Sequence, residues 1–350
     1  MNYAPMIIPT LCRYESFVRC IESLRKNCWA KYTDVYIGLD YPKKETHIEG
    51  YEKIKEYLSQ EFTEFKSFNV LVGKKNIGAK KNEEKLIKEC FKNHDNYIYA
   101  EDDIEFSPNF LEYMDRMLDI YKYDESVIAV SGYSQPIKLT VKSGANAIKQ
   151  QLQASVWGYG TWKNKIKQIS RYLSRSKLAE KFVTVYLSGK LNKMTDWAIK
   201  DYISLTVEGV SKNSYLKQIT DISLRIFLTV EDKYIIMPTV SKTRNLGFDG
   251  NGIYCPLVVY DKNKNVTSKN FDYANQEIDC CNSFFPCVDN HSNIDENRAA
   301  YNCYDVVKES EMDGLIRRAD SYCKLSKISR KFITIKLLLI SFLKKIKKLL

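Results

Sequence analysis

No acidic residue occurs from Lys324 onward: the last 27 residues hold eight lysines, one arginine and nothing to balance them. Residues 1–323 hold 45 basic against 43 acidic residues, so the +11 of the whole chain belongs to a tail and the body is nearly neutral. A nucleic-acid partner, which would draw on basic residues spread over the body, is not expected. The tail also lacks the ~20 consecutive apolar residues of a membrane span, because Lys336 interrupts the run from Phe332 to Leu343. The opening MNYAPMIIPT lacks the basic and apolar regions of a secretion signal, which leads to the expectation of a reducing cytoplasm. Ten cysteines then read as free thiols. The group Cys280, Cys281, Cys287, His291 and Cys303 lacks the paired C-x2-C spacing of structural zinc sites, and buried thiols are expected there. No internal repeat is found.

What is present is a chain of 350 residues with 44% apolar content, enough for a sizeable core and, at roughly 150 residues per domain, for about two domains. The first 130 residues alternate between short apolar runs and helical spacing, the pattern of an α/β fold with a mostly parallel sheet. Strands are expected at Met6–Ile8, Val35–Leu39, Phe68–Val72, Tyr97–Ala100, Val127–Val130 and Tyr234–Met237. Phe17, Ile21, Leu24 and Cys28 recur at helical spacing, and further helices are expected over 48–62, 80–93, 164–175, 196–208 and 221–229. Ser107 is expected to cap a helix that starts at Pro108 and runs through Phe110, Leu111, Met114, Leu118 and Tyr121.

Glu101, Asp102 and Asp103 follow the apolar run YIYA directly. Ligands of open α/β sheets bind beyond the carboxyl ends of the strands, so these acids stand where chemistry is expected. Adjacent carboxylates repel one another without a cation, and hard oxygen ligands suit Mg2+ or Mn2+, with phosphate oxygens completing the shell. A solvated acidic loop before a helix N-terminus is the plainer reading of the same three letters.

The wider segment YIYAEDDIEFSPNFLEYM resembles the D-x-D-type segment of nucleotide-sugar glycosyltransferases with the GT-A fold, in particular the E-D-D region of N-acetylglucosaminyltransferase I. LCRYESFVRCIESL is similar to that group's first helix, YIGLDYP to its second strand, and SVWGYGTW to the W-G-W-x-T-W segment of bacterial family 2-like enzymes. TDISLRIFLTVEDKYIIMPTVSKTRNLGFDGNGIYC resembles their acceptor-side segment, which ends in an N-x-G-F loop, with Tyr254 standing where such loops often carry His. The resemblance implies a Rossmann-like GT-A sheet flanked by helices, a nucleotide-sugar donor (a UDP-sugar first), and a divalent metal at Asp103. It implies donor contacts from Thr10, Arg13, Asp40, Lys80, Glu101, Asp102, Trp157, Gly247 and Phe248, and Asp221 as the base of an inverting displacement.

The expected organisation is a transferase domain over 1–255, with a donor-binding half at 1–134 and an acceptor-side half at 135–255. An extension over 256–323 and a basic amphipathic helix over 324–350 follow. In that helix Phe332, Ile335, Leu339, Leu343, Ile346 and Leu350 keep helical spacing among lysines, which suits the surface of an anionic membrane. The expected function is transfer of a sugar to a glycan or lipid-linked acceptor in bacterial surface polysaccharide synthesis, on the cytoplasmic face of the membrane. The rival is a non-catalytic sugar- or membrane-binding protein with a decayed transferase domain.

Overall fold

The computed structural model describes residues 2–134, 141–151, 154–172, 224, 227–228, 231–247 and 276–290. The chain divides into two compact units. The first comprises Met1–Gln150, Ser155–Ile166 and Tyr234–Asn293, the second Gln151–Ala154, Lys167–Lys233 and Ile294–Leu350. Asp221, Phe248 and the tail 324–350 lie outside the described residues, as do the expected helix at 196–208, His291 and Cys303.

The first unit is a mixed α/β structure built on a large, mostly parallel sheet. Its strands are β1 (Met6–Thr10), β2 (Asp34–Leu39), β3 (Ser67–Val72), β4 (Asn96–Tyr99), β6 (Val127–Ser131), β7 (Ala147–Gln150), β8 (Tyr159–Trp162), β9 (Tyr234–Pro238) and β11 (Val288–Asp289). They run in the order β11-β7-β9-β6-β8-β4-β1-β2-β3. A separate two-stranded ribbon pairs β5 (Ile104–Phe106) with β10 (Thr243–Asn245) in antiparallel fashion. The helices are α1 (Tyr14–Arg25), α2 (Ile48–Tyr57), α3 (Ala79–Cys90), α4 (Phe110–Ile120) and α5 (Lys163–Tyr172).

Side chains alternate across the pleat, and the two faces carry separate apolar clusters. Met6, Ile8, Val35, Ile37 and Ile98 pack with Phe17, Ile21 and Leu24 of α1, Ile54 of α2 and Leu111 and Met114 of α4. Ile7, Tyr36, Tyr97 and Tyr99 point the other way and meet Leu86 and Cys90 of α3. Pro9 has no N–H to offer β4. The β1–β4 ladder accordingly stops near Tyr99, with the Ala100 N–H bonded to the Ile7 carbonyl. The acids at 101–103 leave the sheet at that point.

The expected strands near 6, 35, 68, 97, 127 and 234 are all present, as are α1, α2, α3 and the helix near 164. The start of α4 differs. It begins at Phe110, while the Phe110 N–H bonds the Ser107 carbonyl in a turn and the Ser107 hydroxyl donates to Asn109 Oδ1 at 3.0 Å. Residues 276–290, expected in a separate extension beyond residue 255, belong to the same unit as the sheet. They are tied by β11 to β7, by the Lys242–Asp279 ion pair, and by Phe284 against Tyr113. The end of α4 is held by Lys165, a fully buried lysine of α5. Its ammonium donates to the carbonyls of Tyr121, Asp124 and Val127 at 2.8, 2.9 and 2.8 Å and stands 3.8 Å from the Trp162 ring centroid.

Of the second unit, Leu224, Phe227 and Leu228 are buried, and Gln151 donates to Asp232 at 2.9 Å. No helix among the described residues is long and apolar enough to cross a membrane.

Candidate functional site

Three segments converge beyond the carboxyl ends of β1 and β4. The Thr10 hydroxyl, at the last position of β1, donates to Asp102 Oδ2 at 2.8 Å. Arg13, just before α1, donates through Nη2 to Asp102 Oδ1 and to Asp103 Oδ2, both at 2.7 Å. The third segment is the exit of β10: the Leu246 N–H bonds the Asp103 carbonyl at 2.8 Å, and Gly247 lies flat against the Asp103 side chain. A Cβ at position 247 would stand 2.0 Å from Asp103 Oδ2, so only glycine fits.

Asp102 and Asp103 are both buried. Burial raises the Asp103 pKa above the ordinary carboxylate value; Arg13 opposes this and Asp102 adds to it. Burial works against the Arg13 charge too, but the two carboxylates outweigh it and hold the guanidinium more firmly protonated than usual. Arg13 is thus the cation that lets the two neighbouring acids coexist. Asp102 uses both oxygens on Thr10 and Arg13. Asp103 Oδ1 is buried and has no hydrogen-bond partner among the described residues.

That orphaned oxygen is the test of whether a divalent cation fits. Among the described residues no group of three or more His, Cys, Asp or Glu side chains could hold a metal ion. A cation here would have Asp103 as its one protein ligand and would draw its other oxygens from a diphosphate and water, a division that Mg2+ accepts. The donor set fits on those terms. Asp102 accepts from Arg13 and Thr10 and holds both beside Asp103. Glu101 is half-buried at the strand end, and its carbonyl accepts from the Cys20 thiol at 3.8 Å.

Asp40 stands at the carboxyl end of β2, as expected, but its carboxylate already accepts the backbone N–H groups of Tyr41 at 2.9 Å, Ile77 at 3.0 Å and Gly78 at 2.8 Å. It thereby ties the strand end to the entry of α3. Lys80, on the first turn of α3, has its ammonium 3.8 Å from Glu84. Trp157 packs edge-to-face on Tyr133, with centroids 4.7 Å apart, and its carbonyl accepts from the Thr243 hydroxyl at 2.8 Å. Arg244 lies opposite Glu105 across the ribbon and pairs with it. The structure therefore brings together Thr10, Arg13, Asp102, Asp103 and Gly247, and gives Asp40 and Trp157 partners of their own. Cys280, Cys281 and Cys287 are exposed and not buried, because the segment that carries them is anchored by Asp279 and Phe284.

Asn245 opens the N-x-G-F loop noted in the sequence, but no role was expected of it. It is fully buried on β10, and its Oδ1 accepts the Gly247 N–H at 2.6 Å. Its signal in the sequence is its place at the head of that motif, two residues before the glycine.

No protein-family profile matches the chain, and no curated protein matches it significantly. Among solved structures it is similar to S. aureus TarS 1–349 in complex with UDP-GlcNAc, at 16% identity and a TM-score of 0.34 over 48% of this chain and 47% of that one. It is also similar to the mannosyltransferase PcManGT from Pyrobaculum calidifontis in complex with GDP-Man and Mn2+, at 9% identity and a TM-score of 0.32 over 47% and 46% of the two chains. The chain thus spans less than half the length of these structures, and likeness at such TM-scores decides neither fold nor chemistry.

Proposed function

We propose that this protein is a glycosyltransferase of the GT-A type that takes a hexosyl or N-acetylhexosaminyl group from a nucleotide-sugar donor, a UDP-sugar first. The observation that carries the reading is the convergence of Thr10, Arg13 and Gly247 on Asp102 and Asp103, with one buried Asp103 oxygen left without a partner. Asp103 would hold Mn2+ or Mg2+. Bound there, the cation would stabilise the negative charge that gathers on the departing diphosphate.

The chain's own residues do the rest. Arg13 pairs with both acids and adds positive charge beside the diphosphate. Asp40 shapes the nucleoside side of the site by fixing the backbone at Tyr41 and Ile77–Gly78. Gly247 lies against Asp103, and Phe248, Lys80, Glu101 and Trp157 are the further proposed donor contacts. Asp221 is the proposed base, because displacement at the anomeric carbon needs a proton acceptor opposite the leaving group. The acceptor is a glycan or lipid-linked sugar of bacterial surface polysaccharide synthesis. Residues 324–350 would hold the enzyme on the cytoplasmic face of an anionic membrane.

The test is calorimetric titration of the purified protein with UDP and GDP, with and without Mn2+, followed by a panel of nucleotide sugars assayed for slow hydrolysis. Binding that depends on Mn2+ is expected. Absence of binding to either diphosphate, with Mn2+ and with Mg2+, would refute the reading.

A further inference from the structure

The ribbon places Asn245 opposite Ile104, next to the acid pair in sequence. Its Oδ1 accepts the N–H two residues on, which closes an Asx turn over Leu246. The turn has a definite consequence. It presses the Gly247 backbone against Asp103 Oδ2, the oxygen that Arg13 also holds, and it aims the Leu246 N–H at the Asp103 carbonyl. Asp103 is therefore gripped through one carboxylate oxygen and its backbone, so the side chain cannot rotate without displacing Gly247 or Arg13. Oδ1 is left as the oxygen without a partner among the described residues.

The other end of the Asn245 amide tells the same story. Nδ2 is buried and has no partner among the described residues. A buried amide is costly when half-satisfied, so this side chain is set by the contact with Gly247 and not by its own hydrogen-bond needs. An apolar residue would pack in its place without leaving a donor unpaired, but it could not hold the turn.

We infer that Asn245 is a positioning residue of the Asp103 site: by clamping the Leu246–Gly247 turn it fixes the carboxylate with Oδ1 free, and it thereby governs how tightly a divalent cation and its diphosphate are held. The inference rests on the donor reading above. Residues that hydrogen-bond or orient metal ligands typically change metal affinity by roughly 10- to 100-fold when removed, and a loss of this order is the expected effect.

The experiment compares wild type, Asn245→Ala and Asn245→Ser by titration with UDP or GDP, whichever the wild type binds, in the presence and absence of Mn2+, at a temperature well below each variant's melting point. Serine can close the same turn through its hydroxyl, more weakly. Asn245→Ala is expected to lose about tenfold or more of the affinity gained from Mn2+ while its Mn2+-free affinity stays unchanged, and Asn245→Ser is expected to restore most of that gain. A general structural defect would lower both affinities together. An unchanged Mn2+ gain in Asn245→Ala, or equal losses in the two variants, overturns the inference. If the alanine variant does not fold, the serine variant decides: a Mn2+ gain within about threefold of wild type supports the positioning role, and a larger loss overturns it. A wild type that binds neither diphosphate sinks the donor reading itself and this inference with it.

Discussion

Asp115 should make the protein less stable as the pH rises from acid to neutral, and Asp115→Asn should abolish that dependence. The residue lies on α4, 1% exposed, where Oδ1 accepts the Ala4 N–H at 2.7 Å and Oδ2 has no partner among the described residues. Burial drives its pKa up to about 8 from an ordinary 3.8; the bond from Ala4 pulls it down and Asp119 pushes it up. Between these two values the folded protein keeps a proton that the unfolded chain has released. The contribution is therefore most favourable below pH 3.8, declines by about 1.4 kcal/mol per pH unit above it, and levels off above pH 8. At pH 7, about three units above the unfolded value, the accumulated loss is roughly 4 kcal/mol. Asparagine keeps the shape and an oxygen for Ala4 but cannot ionise, and its unpaired Nδ2 stands where a protonated Oδ2 would be unpaired as well. The variant is thus expected to match the parent near pH 4 and to exceed it by roughly 4 kcal/mol at pH 7. Urea unfolding of both proteins, followed by circular dichroism at several pH values between 4 and 8, measures this directly. Other titrating groups cancel in the difference. A stability difference that stays constant across that range would refute the reasoning.

At the site, Gly247→Ala must displace either the loop or the Asp103 carboxylate. Overpacking of this kind costs about 1–3 kcal/mol, so Mn2+-dependent diphosphate binding should weaken roughly tenfold to a hundredfold, and wild-type affinity would contradict the close approach. Asp103→Asn keeps the shape and removes the charge a hard cation requires; Mn2+-dependent donor affinity should fall sharply while the melting curve persists. Asp221→Asn should bind donor and metal normally yet turn over roughly 10^2- to 10^4-fold more slowly, a result read from steady-state transfer, and near-normal turnover would move the base elsewhere. Removal of residues 324–350 should abolish cosedimentation with anionic vesicles, and unchanged binding would disprove the membrane role of the tail.

The sheet's first half was legible because its physics is local. Apolar runs such as MIIPT and VYIGL lie between helices whose buried residues recur every three or four positions, as Phe17, Cys20, Ile21 and Leu24 do. What stayed hidden depends on partners remote in sequence. Strands β5 and β10 are three residues each, too short to show a period, and exist because they pair with one another. Strand β8 reads YGTW, with a glycine where a side chain would crowd Leu118 and Met114. Ser107 has the letter of a helix cap, but Asn109 is drawn by Asp279 and Ser283, and the helix starts later. Asp40 sits where a binding acid is expected, and besides the adjacent Tyr41 its partners are backbone N–H groups 37 and 38 residues further on. The candidate site divides along the same line. Arg13 and the acids stand out as charged residues at strand ends, whereas the fit of Gly247 on Asp103 is a tertiary fact.

The β5–β10 ribbon also sets the order in which the site comes into being. Arg13 meets Asp102 and Asp103 across separations of 89 and 90 residues, but the Glu105–Arg244 pair closes a loop of 139. Closure entropy rises with loop length, and distant pairings form late. A ribosome adding roughly 5–20 residues per second needs on the order of ten seconds to travel from the acids to the strand that covers them. Throughout that interval the emerging chain holds the arginine and both carboxylates but lacks the wall supplied by Asn245 and Gly247. The wall that Asn245 and Gly247 build against Asp103 is accordingly added only after the arginine and both acids have been made.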